Sequence, residues 1–197
     1  RLFYKIFRKD LFVKNIKTYV CNVDKDYFIE RTKEYAEGIF KNALTSPDNF
    51  LMVDQIVPSS NIEDFLPYFN DIKIFLVDRD PRDLYLSEKY VWREGVVPAS
   101  PEEFVEWYKY CRKNQKRYIE NENVCFLRFE DMIYDYENTK RKIVRFAGID
   151  EERHINPLSK FNPEISKKNT KLYLKYPQEK ENIKIIEERL SEYLYNS

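Results

Sequence analysis

Apolar positions along this chain follow two rhythms, short β-branched or aromatic runs and longer segments of helical period. Behind Asp24, a residue suited to capping, Phe28, Tyr35, Ala36, Ile39 and Ala43 recur at helical spacing, and Pro47 bounds the segment. The unbroken apolar run 50–53 predicts a buried strand. Ser60 and Glu63 have the spacing of a capping box and predict a short helix through Leu66 and Phe69. Residues 72–77 form the clearest strand pattern, so a strand, a helix and a strand predict one crossover unit.

After Pro81 the pattern is helical to about Tyr90, and a polar loop with Gly95 and Pro98 follows. Ser100, Pro101 and Glu103 make a helix start, with Phe104, Tyr108, Cys111 and Tyr118 on one stripe. Residues 124–129 read as a third strand, and a helix over 136–147 is expected to stop at Gly148. A last helix over roughly 179–195 would bury Ile183, Ile186, Leu190 and Tyr193. Before it lies an irregular segment with Pro157, Pro163 and the basic run 166–171, the kind of loop in which function concentrates. This alternation predicts a layered α/β fold.

Composition narrows the function classes. With 197 residues and 43% hydrophobic content, the chain is expected to form one domain over residues 1–197. Its 34 basic and 34 acidic side chains leave no global field to draw it to nucleic acid or an anionic membrane, so any anion must be held locally. No apolar run approaches the ~20 residues of a spanning helix. Cys21, Cys111 and Cys125 are odd in number and form no Cys-x-x-Cys pair, which argues against a disulfide framework or a zinc site and fits a reducing cytosol. The three glycines, Gly38, Gly95 and Gly148, are too far apart for a glycine-rich phosphate loop.

The sharpest chemistry lies in residues 74–83, Ile-Phe-Leu-Val-Asp-Arg-Asp-Pro-Arg-Asp, followed by Ser87. Charged groups stand here where a buried strand meets a helix start, the edge at which α/β sheets bind ligands. A planar guanidinium at Arg79 suits a phosphate, Ser87 adds a hydroxyl two turns into the helix, and the helix start offers backbone N–H groups. Arg82 is expected to point to solvent. The competing reading makes Asp80 a helix cap, places Asp83 favourably in the first turn and pairs both arginines with neighbouring carboxylates.

Other candidates are weaker. Asp54, at the end of the predicted strand 50–53, could accept a proton as general base, or could cap a loop. His154 is the only histidine and sits in a charged turn, so a surface role is expected and a metal site is not. Tyr85, Tyr90, Trp92, Trp107 and Tyr108 cluster in sequence, most of them expected in the core. If Trp92 or Tyr90 faces the cleft, it would suit stacking on a sugar or on adenine, and Arg93 would meet an acidic glycan.

Arg-Asp-Pro-Arg-Asp at a strand end, with a serine eight residues after the first arginine, resembles the 3′-phosphate motif of PAPS-dependent sulfotransferases. Residues 127–132, Leu-Arg-Phe-Glu-Asp-Met, and the helix ending at 145–149, Arg-Phe-Ala-Gly-Ile, are similar to the strand, turn and helix that follow in that family. The likeness runs from about residue 50 to the end and is nearest to bacterial members that sulfate cell-surface glycans. It implies a three-layer α/β/α fold with a mostly parallel sheet, related to P-loop NTPases. The implied activity is sulfuryl transfer from the co-substrate PAPS, without a metal, to a carbohydrate hydroxyl such as that of a capsular or cell-surface glycan. Arg79 and Ser87 would bind the 3′-phosphate, and Lys167 and Lys168 fall where the family's basic loop reaches the same group; the bland reading of that run is a solvated charge patch.

The chain also departs from the family. Where some sulfotransferases have Lys-x-His-x-Pro, residues 54–58 read Asp-Gln-Ile-Val-Pro, so the histidine's role does not carry over to Ile56. No segment matches the family's N-terminal strand and 5′-phosphosulfate loop. The chain opens on Arg1, and that piece is expected to precede it, leaving the domain truncated. The rival reading is a non-catalytic nucleotide- or anion-binding module of the same fold. A P-loop kinase is weaker, because no Gly-x-x-x-x-Gly-Lys sequence occurs.

Overall fold

The computed structural model describes residues 23–44, 46, 49–93 and 95–196, in two compact units, Arg1–Leu51 and Met52–Ser197. In the first unit, helix α1 (Lys25–Ala43) begins where expected. The Asp24 carboxylate accepts the N–H groups of Asp26 and Tyr27 at 3.0 and 3.1 Å, satisfying two of the donors that a helix start leaves open. The helical rhythm correctly gave the element, yet none of its residues is buried.

The predicted strand over 50–53 does not form, and Phe50, Leu51, Met52 and Val53 are exposed. A strand is held by its ladder, and the described sheet consists of β1 (Ile74–Asp78) and β2 (Val124–Arg128), paired with each other and not with residues 50–53. The helix predicted from Ser60 is also replaced, by two single turns of 3₁₀-helix at Ile62–Asp64 and Leu66–Tyr68. Pro67 has no N–H to continue an α-helical ladder through this stretch, and Ser60 caps neither turn. The crossover unit predicted from these elements is therefore absent.

The crossover instead runs forward from β1. Helix α2 (Pro81–Ser87), a π-helical turn at Glu88–Trp92 and helix α3 (Pro101–Arg112) carry the chain to β2, which lies parallel to β1 with Ile74 opposite Val124. Ser100 caps α3 by accepting the Glu103 N–H at 3.2 Å. Side chains alternate across the two strands. Ile74, Leu76, Val124 and Phe126 join the cluster around Ile62 and Tyr118, while Phe75 meets Phe146 edge-on at 5.1 Å.

After β2 come α4 (Asp131–Tyr134) and α5 (Tyr136–Ala147), the latter ending at Gly148, whose φ of 67° lets the chain turn back onto the Val144 and Arg145 carbonyls. Helix α6 (Pro163–Ser166), 3₁₀ turns at Lys167–Asn169 and Leu172–Leu174, and α7 (Lys180–Arg189) complete the chain. The last helix is shorter than predicted. It ends at Arg189, and a 3₁₀ turn follows at Ser191–Tyr193, because Tyr195 is drawn away to give its N–H to Asp80 and its hydroxyl to Asp131. The larger core packs Tyr85 and Leu86 of α2, Phe104 and Tyr108 of α3, Leu172, and Ile183 and Ile186 of α7. This core fixes α2, and with it the chemistry at the end of β1.

Candidate functional site

The junction between β1 and α2 is held by its backbone. Phe129 donates its N–H to the Asp78 carbonyl at 2.8 Å, the Tyr108 hydroxyl donates to the Arg79 carbonyl at 2.9 Å, and the Asp80 N–H donates to Glu130 at 2.7 Å. Asp80 then caps α2 by accepting the Arg82 N–H at 2.9 Å. The helix start that could have offered open donors to a phosphate is thus partly closed by its own aspartate.

The two arginines of the motif have unlike surroundings. Arg79 is 8% exposed. One of its terminal nitrogens donates to the Asn169 carbonyl, and the guanidinium carbon lies 4.8 Å from the centre of the Phe129 ring and 5.4 Å from that of Trp92. Its Nε is buried with no hydrogen-bond partner, and no ion pair reaches it among the described residues. Burial lowers its pKa against the pull of Asp83, Glu130 and Asp80, but an arginine remains a cation near neutrality.

Arg82 is equally buried, contrary to the expectation that it points to solvent. Its Nε and Nη2 donate to the two oxygens of Asp80 at 3.0 and 2.7 Å, and its Nη1 donates to Glu187 at 3.0 Å. Its guanidinium sits 3.8 Å from the Tyr173 ring centre. Burial opposes its charge, but the bonds to Asp80 outweigh that and raise its pKa. The capping reading of the motif therefore holds for Asp80 and Arg82 and fails for Arg79.

The basic loop comes to this junction. The turn Lys167–Asn169 sets the Asn169 carbonyl on Arg79 and leaves Lys167 and Lys168 exposed beside it. Thr170 is 3% exposed, and its hydroxyl bonds the Tyr134 hydroxyl at 2.6 Å. Asp83, 2% exposed, accepts the N–H groups of Lys171 and Leu172 at 2.7 Å each. Burial and the charge of Asp80 push the Asp83 carboxyl up to about 6, although the two N–H donors and Arg79 oppose this. The sequence reading missed this role for Asp83. Its signal was a second acidic residue three positions behind a cap that needed none.

Ser87 is buried at the end of α2, and its spacing from Asp80 and Asp83 puts all three on one helix face. Asp54 lies exposed in a bend before Gln55, whose φ is 57°, and the structure does not join it to Arg79. Trp92 is half-exposed over Arg79, whereas Tyr90 is committed to the fold, stacked on Tyr176 at 4.3 Å and bonded to Glu179. Arg93 and His154 are exposed. A small cleft nearby is lined by Asp80, Asp83, Glu130, Tyr134, Thr170, Lys171, Tyr173 and Tyr195.

Among the described residues no helix is long and apolar enough to cross a membrane, and no group of His, Cys, Asp and Glu is arranged to hold a metal ion. The comparison with curated proteins gives no match. Residues 58–191, from the loop before the first 3₁₀ turn through α7, match the family model for the sulfotransferase domain, whose general chemistry is sulfuryl transfer. A match over more than half of the chain, spanning the Arg79 junction, β2 and the basic loop, shows that this protein belongs to the sulfotransferase family.

Proposed function

We propose that this protein transfers a sulfuryl group from PAPS to a hydroxyl of a carbohydrate, with Arg79 and Ser87 holding the 3′-phosphate of the donor and Lys167 and Lys168 adding charge from the basic loop. The observation that carries this reading is Arg79. A buried cation whose Nε has no hydrogen-bond partner, and which feels Asp83, Glu130 and Asp80 without forming an ion pair with any of them, is costly, and an anionic ligand is what would complete it. The half-exposed Trp92 ring beside it supports a sugar or base stacking there, with exposed Arg93 next in sequence.

Transfer forms a bond from the acceptor oxygen to sulfur as the sulfur–oxygen bond to the nucleotide breaks, and the hydroxyl proton needs a base. Asp54 takes that role in this reading. Asp54→Asn is expected to lower turnover by roughly 100-fold with donor affinity kept. Unchanged turnover removes it.

The decisive experiment is calorimetry with adenosine 3′,5′-bisphosphate (PAP) and with adenosine 5′-phosphosulfate, which lacks the 3′-phosphate. Arg79→Ala should weaken PAP binding by about 1.5–3 kcal/mol and leave the second ligand nearly unaffected. Equal losses for both ligands overturn the assignment. PAP binding at Arg79 without turnover on any sugar would favour the binding module.

A further inference from the structure

We infer that Asp83 is the positioning residue that sets the basic loop over Arg79, by filling an anion-binding nest formed by the backbone of Lys171 and Leu172. The inference rests on the 3′-phosphate reading for its functional consequence, and on contacts alone for the joint itself.

Lys171 stands in the left-handed region at φ 53° and ψ 36°, and Leu172 opens a 3₁₀ turn. This succession aims neighbouring N–H groups at one point, the geometry with which backbones bind phosphates. Here the anion is internal. The two oxygens of Asp83 take one N–H each at 2.7 Å, from residues 88 and 89 positions away. A lysine in the left-handed region is a conformation that persists only where the surroundings impose it, and such positions gather at ligand clamps. The surroundings here hold three successive residues from three different elements. Arg79 at the end of β1 holds the Asn169 carbonyl, Tyr134 of α4 holds the Thr170 hydroxyl, and Asp83 of α2 holds Lys171.

Two consequences follow. The nest is filled by its own carboxylate, so a ligand phosphate at this junction is met by the side chains of Arg79, Ser87, Lys167 and Lys168 and not by the nest. Asp83 also lies one helical turn before Ser87, so one rigid element sets both the hydroxyl and the height of the loop. Because each Asp83 oxygen holds one N–H, an amide at position 83 keeps one acceptor in place and sets its own NH₂ against the other N–H.

Amide hydrogen exchange resolved by residue tests the joint in the wild-type chain without any ligand. The Lys171 and Leu172 amides should be protected although neither lies in an α-helix or a strand; exchange at unprotected rates overturns the inference. In Asp83→Asn both amides should exchange on the order of 100-fold faster while those of α3 and α7 keep their protection. Unchanged exchange at both amides overturns it as well. If Asp83→Asn does not fold, the wild-type measurement decides alone. Titration with PAP and with adenosine 5′-monophosphate then reads the consequence: Asp83→Asn should bind PAP about tenfold more weakly, with the monophosphate changed by less than about twofold. Equal losses for the two ligands reduce Asp83 to a fold residue and overturn the positioning role. If wild-type protein does not bind PAP, the proposed function fails, and the exchange arm still decides the joint.

Discussion

The two sides of the β1–α2 junction hold the same residue type in the same depth of burial and use it differently. On the helix side, Arg82 is saturated by Asp80, Glu187 and the Tyr173 ring. On the strand side, Arg79 has one carbonyl, two aromatic rings and a bare Nε. Three residues of separation decide this, because position 82 falls inside the reach of the Asp80 cap while position 79 precedes it. A charge satisfied from within the protein supports the fold, and a charge left incomplete is the one for which the proposed function supplies an anion.

The largest expected effect comes from breaking the saturated side. Arg82→Ala leaves Asp80 and Glu187 without their cation and should cost about 3–5 kcal/mol of stability in urea unfolding, as loss of one partner of a buried pair does. What affinity for PAP remains should keep its dependence on the 3′-phosphate. An Arg82→Ala protein of unchanged stability that loses this dependence would reverse the comparison.

A middle-sized effect concerns pH. The folded Asp83 carboxyl sits at about 6, against about 3.9 for a free aspartate, so its ionisation disfavours the native state. The stability this group contributes is complete below about pH 4 and is lost as the pH rises through about 6. The wild type should therefore gain about 2 kcal/mol relative to Asp83→Asn on going from pH 7 to pH 4, measured as the difference between the two unfolding curves. A flat difference would mean that the Lys171 and Leu172 donors and Arg79 fully offset burial and the charge of Asp80.

The smallest effect sharpens the strand side. Ser87→Ala should reduce PAP affinity by about 0.5–1.5 kcal/mol, with the same 3′-phosphate selectivity as Arg79→Ala and little change in stability. A loss that is equal for ligands without the 3′-phosphate would detach Ser87 from the site.

Legibility from the sequence followed the range of the interaction concerned. Asp24, Ser100 and Gly148 marked helix ends correctly because a cap acts within one turn of chain. The strand at 74–78 was visible because an unbroken run of apolar residues, mostly β-branched or aromatic, carries its own pattern, and the placing of Arg79 at its end followed from counting. The run 50–53 has the same apolar character, and it failed as a strand because a ladder needs a neighbour that no local pattern can supply.

The sequence by itself determined which residues would stand at the end of β1, which would cap α2, and that a basic run would lie near the C-terminus. Only the tertiary structure decided that Arg79 would be left incomplete while Arg82 was saturated. It also decided that Asp83 would bind the backbone of Lys171 and Leu172 across 88 and 89 residues and not serve merely as a first-turn aspartate. The physical reason is that caps and periodicities are local, whereas the fate of a buried charge depends on every group that packing brings within a few ångströms of it, from any distance along the chain.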